Sequence, residues 1–216
     1  MAKRTTDPGR LKSLRFSPTG IQVVFRQAAL DRLALDFCAI LNRRRIRYAV
    51  VSGYPAILLG RSRESEDVDI LADPMTLEAF RSLHRTLTNR FECLTPGDAA
   101  ALFHGYLDAG KESTAVRYSF ARAYVPNVEF KFTKTALHRD SVRSRIRVRA
   151  NGRLLFIGPL ETQIAYKVWL GSPKDLEDAR WIWKVAGGHL AEAKLWSAAR
   201  KLYLSRRTVE KALEGR

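Results

Sequence analysis

Residues 47–71 read RYAVVSGYPAILLGRSRESEDVDIL, and the order of residue types in this stretch indicates the fold class. The run from Arg47 to Ser52 is apolar and rich in β-branched residues, which is typical of a buried strand. Gly53 indicates a tight turn, and a short helix over 55–59 can begin with Pro55 because the missing N–H has no partner in a first turn. A second strand is predicted over 67–71. The order strand, glycine turn, helix, strand indicates an α/β domain.

The rest of the chain extends this domain on both sides. Residues 1–20 contain proline and glycine without periodicity and predict a loose basic arm, whereas residues 21–45 have helical spacing and predict an amphipathic helix. Further elements are predicted as a helix over 76–87, strands near 91–94, 115–120 and 128–132, a hairpin over 146–157 around Asn151-Gly152, and helices over 159–170, 174–186, 189–203 and 205–214. We therefore expect an α/β (α+β) fold with three parts. These are a basic arm (1–20), an α/β domain with a small mixed sheet and flanking helices (21–157), and a helical C-terminal region (158–216).

Composition excludes several classes of protein. The chain has 216 residues and 46% hydrophobic residues, so it is neither disordered nor fibrous. Its longest apolar stretch, residues 49–60, is shorter than the ~20 residues of a membrane span, and no apolar segment follows the basic N-terminus as in a signal peptide. Cys38 and Cys93 lie in apolar surroundings without zinc-ligand spacing, which predicts buried free thiols. We expect a cytoplasmic protein with no membrane partner.

The net charge of +16 has two explanations. Basic clusters at 43–45, 139–149 and 200–207 favour a polyanionic partner such as RNA, because neutralising phosphates releases counterions. An arginine-rich surface that serves solubility would have the same composition. Charge alone leaves both explanations open.

Asp67 and Asp69 suggest a metal–nucleotide site. Alternation along a strand places their side chains on one face. Two such carboxylates repel each other unless a cation lies between them, and Mg²⁺ prefers one or two carboxylates together with phosphate oxygens. At the Ser52-Gly53 turn, backbone N–H groups and the hydroxyl can contact a phosphate. The expected cofactor is Mg²⁺ or Mn²⁺.

The Ser52-Gly53 turn followed by the run Arg63-x-Ser65-x-Asp67-x-Asp69 resembles the motif of the polymerase-beta-like nucleotidyltransferase superfamily. The likeness is greatest to its stand-alone bacterial and archaeal members. It implies a nucleoside triphosphate substrate, metal ligation and catalysis by the two aspartates, and nucleotide binding by the turn, Arg63 and Ser65.

The resemblance also implies a third carboxylate on a later strand. Glu129 in the segment 128–132 has this position, although an aspartate is more usual there, and it would bind metal or accept a proton. Lys131 on the same strand would bind the nucleotide. The alternative is that Glu129 and Lys131 form a solvent-facing pair on an edge strand.

The C-terminal region contains Tyr166-Lys167 and the run Lys174-Asp175-Leu176-Glu177-Asp178. These segments are similar to the second conserved region of the abortive-infection type nucleotidyltransferase toxins. The similarity implies that Lys167 and Lys174 face the nucleotide and that Asp175 and Asp178 support them. An ion pair within the helix between Lys174 and Asp178 is the competing explanation. In total the resemblance covers about residues 46 to 186.

Two functions follow as hypotheses. The first is a metal-dependent nucleotidyltransferase that moves a nucleotide to an acceptor hydroxyl on tRNA, another RNA, a protein or a small aminoglycoside-like molecule. The second is a catalytically weak nucleotide- or RNA-binding module of a toxin–antitoxin type system, with a cognate protein partner. Glu129 in place of the usual aspartate favours the second.

Overall fold

The computed structural model describes residues 10–110 and 114–215. The strands are β1 (Leu11–Ser17), β2 (Gly20–Phe25), β3 (Tyr48–Val51), β4 (Asp67–Ala72), β5 (Glu92–Cys93), β6 (Val116–Ser119), β7 (Asn127–Phe132), β8 (Ile146–Ala150) and β9 (Arg153–Ile157). The helices are α1 (Ala29–Arg43), α2 (Tyr54–Leu58), α3 (Leu77–Thr88), α4 (Ala99–Leu102), α5 (Ala136–Arg143), α6 (Leu160–Leu170), α7 (Pro173–Ala186), α8 (Glu192–Lys201) and α9 (Arg206–Glu214). A π-helical turn, Phe103–Leu107, continues α4.

Within the described ranges, nine strands form one mixed sheet in the order β1-β2-β8-β9-β3-β4-β7-β6-β5. The pairs β2/β8, β9/β3 and β4/β7 are parallel, and the other neighbours are antiparallel. The predicted mixed α/β class is confirmed. The sheet is wider than expected because a hairpin that was not predicted, β1–β2, joins the predicted hairpin β8–β9 on one side of β3.

The two faces of the sheet differ. One face carries the main core, in which Tyr48, Val50 and Ile70 are buried and against which α1 and α3 pack. The opposite face, which we call the site face, carries Ala49 and Leu71 under α5 in a small separate cluster. Alternation along β4 therefore places Asp67 and Asp69 on the site face.

The C-terminal helices α6–α9 are close to their predicted positions and pack on one another and on the main core. No helix among the described residues is long and apolar enough to cross a membrane. Both cysteines are free, and Cys38 is buried as expected, whereas Cys93 is only partly buried. The expected boundaries of the domain and of the C-terminal region stay predictions.

The predicted helix over 21–45 is wrong in its first part, because α1 begins only at Ala29. Burial alternates along β2, with Ile21 and Val23 buried and Gln22 exposed, and this period of two is that of a strand. Gly20 makes the turn possible at φ +135°, and a Cβ there would lie 2.2 Å from the carbonyl oxygen of Arg147. The part of the expected basic arm over 11–17 forms β1, and residues 1–9 lie outside the described residues.

Candidate active site

The Ser52-Gly53 turn has an unusual backbone. Ser52 has a left-handed φ of +64°, which is uncommon for a residue with a side chain and is typical of functional turns. Its N–H donates to Oε1 of Gln163, at 3.2 Å, and Gln163 is buried on α6. At Gly53 a Cβ would lie 2.9 Å from Nη2 of Arg63, so the absence of a side chain lets this guanidinium pack against the turn. The turn is thus held by α6 on one side and by Arg63 on the other.

Asp67 and Asp69 lie beside this turn. In the antiparallel register of β3 and β4, Val51 at the end of β3 pairs with Asp69. Both aspartates are partly buried, whereas Val68 between them is fully buried. Burial raises the pKa of Asp67, and the neighbouring carboxylates of Asp69 and Glu129 raise it further. The structure therefore brings the carboxylate pair and the turn together, as the sequence predicts.

Ser65 precedes the pair and contacts it directly. Its hydroxyl lies 3.3 Å from the carbonyl oxygen of Asp67 and 3.4 Å from Oδ1 of the same residue. Nη2 of Arg63 donates to the Ser65 hydroxyl at 3.3 Å. Ser65 thereby connects Arg63 to the carboxylate pair.

Glu129 and Lys131 lie on β7, whose parallel register with β4 places Glu129 opposite Asp69. Nζ of Lys131 is 2.7 Å from Oδ1 of Asp69 and 2.7 Å from Oε2 of Glu129. Nη2 of Arg117 is 2.6 Å from Oε1 of Glu129. The edge-strand alternative is wrong, because β7 lies between β4 and β6 and the side chain of Glu129 is only 14% exposed.

These contacts set the protonation of the two residues. Burial alone would raise the pKa of Glu129, but the ammonium of Lys131 and the guanidinium of Arg117 lower it overall. Burial alone would lower the pKa of Lys131, but Asp69 and Glu129 raise it overall. Glu129 is therefore anionic and Lys131 cationic at neutral pH.

The carboxylates of Asp67 and Asp69 fit a divalent cation, whereas the carboxylate of Glu129 is paired with Lys131 and Arg117. In the described part of the chain, no group of three or more His, Cys, Asp and Glu side chains is arranged to hold a metal. Two carboxylates suffice for Mg²⁺ when phosphate oxygens and water complete the shell. A cation here would also relieve the repulsion from Asp69 and Glu129, which adds to burial in raising the pKa of Asp67. Metal ligation by Glu129 would require its contacts with Lys131 and Arg117 to open.

A second charged cluster surrounds Asp178 on α7, whose side chain is fully buried. Nζ of Lys167, itself 1% exposed, lies 2.6 Å from Oδ2 of Asp178 and 3.2 Å from Oδ1 of Asp175. Nη1 of Arg63 lies 2.7 Å from Oδ2 of Asp178, and Nη1 of Arg61 contacts Oδ1. Asp178 thus gathers three cations from outside α7.

The ion pair within α7 that the sequence suggests is not formed between Lys174 and Asp178. Lys174 is exposed, and its carbonyl oxygen accepts from Nη1 of Arg61 at 3.2 Å. Burial, and to a smaller extent Arg63 and Arg61, lower the pKa of Lys167 to about 8, although Asp175 opposes this. Asp178 thus pairs with cations from the loop before β4 and from α6 instead of with a residue one turn away on α7. Helical spacing within α7 cannot reveal such partners.

A cleft of about 320 Å³ opens on the site face between β3–β4, α5 and α6. Its polar lining includes Ser52, Asp69, Lys131, His138, Gln163 and Tyr166. A larger cavity of about 860 Å³ lies beside α8, and neither aspartate lines it. We place the candidate site in the smaller cleft because the strained turn and Asp69 both line it.

Sequence reasoning missed several residues of this region. Gln163 precedes Lys167 by four residues, so the two share a face of α6, and this spacing could have indicated that Gln163 also points toward the site. Arg61 precedes Arg63 by two residues in the same loop. Tyr166 belongs to a segment that the resemblance covers but had no predicted role, and His138 carried no signal, because only the packing of α5 and α6 brings these two side chains to the cleft.

Comparison with known proteins identifies the fold. No protein-family model matches the chain, and no curated protein matches its sequence. The structure is similar to an antigenic nucleotidyltransferase-like protein from Paracoccidioides brasiliensis, with a TM-score of 0.55 and 19% identity over 86% of this chain and 92% of that one. It is also similar to the antibiotic-resistance factor ANT(2'')-Ia, with a TM-score of 0.50 and 13% identity over 87% of this chain and 97% of that one. The chain therefore has a nucleotidyltransferase-like fold.

Proposed function

We propose that this protein is a divalent-metal-dependent nucleotidyltransferase that moves a nucleotide from a nucleoside triphosphate to an acceptor hydroxyl on tRNA or another RNA. The observation on which this rests is the position of Asp67 and Asp69, side by side on the site face and next to the left-handed Ser52-Gly53 turn. The nucleotidyltransferase-like fold supports it. Such a reaction belongs in the cytoplasm, where nucleoside triphosphates and RNA occur together.

The proposed reaction forms a bond between the acceptor oxygen and the α-phosphorus and breaks the bond to pyrophosphate, which leaves. Asp67 and Asp69 would hold Mg²⁺ or Mn²⁺, which when bound neutralises phosphate charge. Ser52 and Gly53 contact the phosphates, and Lys131 adds a positive charge beside them. Glu129 is ionised and accepts the proton of the acceptor hydroxyl once its bond to Lys131 opens.

The remaining predicted site residues have less direct roles in this proposal. Arg63 fixes the turn against the buried Asp178, and Ser65 connects Arg63 to Asp67. Asp175 and Asp178 support Lys167, so a contact between Lys167 and the triphosphate requires the ammonium to leave Asp178. Lys174 is exposed at the start of α7 and remains a candidate for nucleotide binding.

One observation favours the second function, a catalytically weak nucleotide- or RNA-binding module of a toxin–antitoxin type system with a cognate protein partner. Lys131 and Arg117 together already neutralise Asp69 and Glu129 by direct ion pairs. A site that is neutralised from within has less need of a metal ion, and turnover would suffer accordingly.

The discriminating experiment incubates the protein with each α-³²P-labelled nucleoside triphosphate, Mg²⁺ and total RNA, and then resolves the RNA on a gel. Label on RNA that disappears in Asp67→Asn/Asp69→Asn supports the enzyme. The matched control is Glu78→Gln, which removes an exposed carboxylate on α3, on the other face of the sheet. Mg²⁺-dependent nucleotide binding without transferred label supports the module. Absence of both binding and transfer contradicts both functions.

A further inference from the structure

An exposed row of arginines lies on the site face beyond the cleft. Along β8, Val148 and Ala150 are fully buried, whereas Arg147 and Arg149 alternate with them and are exposed. Alternate residues of a strand are about 6.6 Å apart, so the two side chains leave the sheet in parallel at that interval. Cross-strand pairing continues the row to β2 and β1, where Arg149 lies opposite Gln22 and Gln22 lies opposite Arg15.

We call Arg15, Arg147 and Arg149 the arginine face. Among the described residues none of the three has an ion-pair partner, whereas Arg61, Arg117 and Arg153 all pair with carboxylates. The neighbouring positions on this side of β1, β2 and β8 carry no acidic residue; they are Ser13, Ser17, Gln22 and Val24. Arg147 lines a cavity together with Asp140, but that carboxylate pairs with Arg143 and Lys201 instead. Three guanidinium groups without an ion pair, on strand positions that carry no acid, form a surface for a repeated anion.

The arginine face and the carboxylate pair lie on the same side of the sheet. Paired residues on neighbouring strands lie on the same face of a sheet, and successive residues alternate between faces. Ile157 on β9 pairs with Val50 on β3, so Phe156 and Val51, which adjoin them, lie together on the opposite face. Phe156 pairs with Arg147 on β8, and Val51 pairs with Asp69 on β4. Three strand spacings of about 4.8 Å separate β8 from β4, which is about 14 Å. A polymer of a few monomer units can span this distance, passing α5, which packs over β3 and β4.

We propose that the arginine face binds the phosphate backbone of an RNA acceptor whose reacting hydroxyl lies in the cleft; the second half of this statement rests on the proposed function. Most contacts that position a nucleic acid go to phosphates, and arginine is a frequent donor. A protein partner fits less well, because the centre of a protein interface needs apolar or aromatic anchors. Among the described positions of β1, β2 and β8 that face this side, only Val24 is an exposed apolar side chain. RNA supplies both the repeated phosphates and the hydroxyl.

The test is fluorescence anisotropy with a labelled single-stranded RNA, measured without nucleotide at several salt concentrations. Arg15→Gln/Arg147→Gln/Arg149→Gln should reduce the slope of log affinity against log salt by about 2–3 and lower affinity at least tenfold at low salt. Replacement of the same three residues by Lys should restore most of the slope. The matched control is Arg32→Gln/Arg81→Gln/Arg85→Gln, which removes three exposed arginines from α1 and α3 on the other side of the sheet and should change affinity less than twofold. An equal loss in the two Gln triple variants, or no loss in the first, overturns the proposal.

The failure of this proposal and the failure of the proposed function can be told apart. If the Gln variant of the arginine face loses RNA binding while the wild type transfers no label, the face binds RNA and the transferase assignment fails. If the wild type labels RNA and the Gln variant binds RNA as tightly as the wild type, the transferase stands and the arginine face is excluded.

Discussion

Two substitutions in the buried cluster around Asp178 should have very different effects on stability. Asp178→Asn removes the carboxylate that pairs with Lys167, Arg63 and Arg61, and leaves three cations close together at a fully buried position. Removing one partner of a buried ion pair costs about 3–5 kcal/mol, because the remaining charge stays desolvated. We expect a loss of this size in the free energy of unfolding.

Lys167→Met should cost much less. Burial, with a smaller contribution from Arg63 and Arg61, lowers the pKa of Lys167 to about 8, and this net shift already includes the opposing effect of Asp175. The ammonium is therefore held charged in unfavourable surroundings, which its removal relieves, while Asp178 retains Arg61 and Arg63. The expected net change is within about 1 kcal/mol.

Urea unfolding at pH 7 measures both changes by linear extrapolation. Lys174→Met is the control, since Lys174 is exposed near the same cluster and should leave the midpoint unchanged. The pH dependence of the free energy of unfolding is a second measurement. Between pH 8 and 10.5 the unfolded chain binds the Lys167 proton more tightly than the folded chain does, so the wild type should become more stable as pH rises. Lys167→Met should show a smaller increase. A cost above 3 kcal/mol for Lys167→Met, or below 1 kcal/mol for Asp178→Asn, would refute this reasoning.

Three further predictions follow from the candidate site. Gly53→Ala places a Cβ 2.9 Å from the Arg63 guanidinium and should cost about 1–3 kcal/mol in urea unfolding. Gly105→Ala, where the Cβ would meet nothing within 4 Å beyond its chain neighbours and its own helical turn, should cost less than the Gly53 change. Burial, together with the carboxylates of Asp69 and Glu129, raises the pKa of Asp67, so the folded state binds its proton more tightly than the unfolded state does, and the ionised side chain lowers stability as pH rises above the unfolded pKa. Asp67→Asn should therefore melt higher than wild type at pH 7 in EDTA, and a lower melting temperature would contradict this reasoning. Lys131→Met leaves Asp69 and Glu129 without their shared ammonium, so Mg²⁺ should raise its melting temperature more than that of the wild type, and an equal rise would mean that Lys131 does not compete with the cation.

Local patterns in the sequence predicted the centre of the fold well. The β3–α2–β4 segment is short, and its strand, turn and helix signals lie within 25 consecutive residues, so no distant contact is needed to interpret it. The Asn151-Gly152 turn is equally local, and the hairpin β8–β9 forms around it as predicted. The β1–β2 hairpin was missed because Pro18 and Gly20 suggested irregular structure, although they form its turn.

The environment of the candidate site could be predicted only in part. Alternation placed Asp67 and Asp69 on one face, but chain order cannot show that β7 lies parallel to β4 or that Lys131 reaches Asp69. Helical spacing suggested that Asp178 pairs with Lys174, whereas its partners come from α6 and from the loop before β4. These contacts depend on packing between distant segments, which a single sequence does not encode locally.

Thermal unfolding with Mg²⁺ and a nonhydrolysable nucleoside triphosphate analogue tests the role of Asp67 and Asp69 most directly. The two ligands together should stabilise the wild type by RT ln(1 + [L]/Kd), about 2.7 kcal/mol at a hundredfold excess over Kd, and EDTA should abolish the gain. Glu66→Gln, which alters an adjacent exposed carboxylate, should keep the response, and Asp67→Asn/Asp69→Asn should lose it. A full response in the double variant, or no Mg²⁺-dependent response in the wild type, would contradict the assignment of this pair as the metal–nucleotide site.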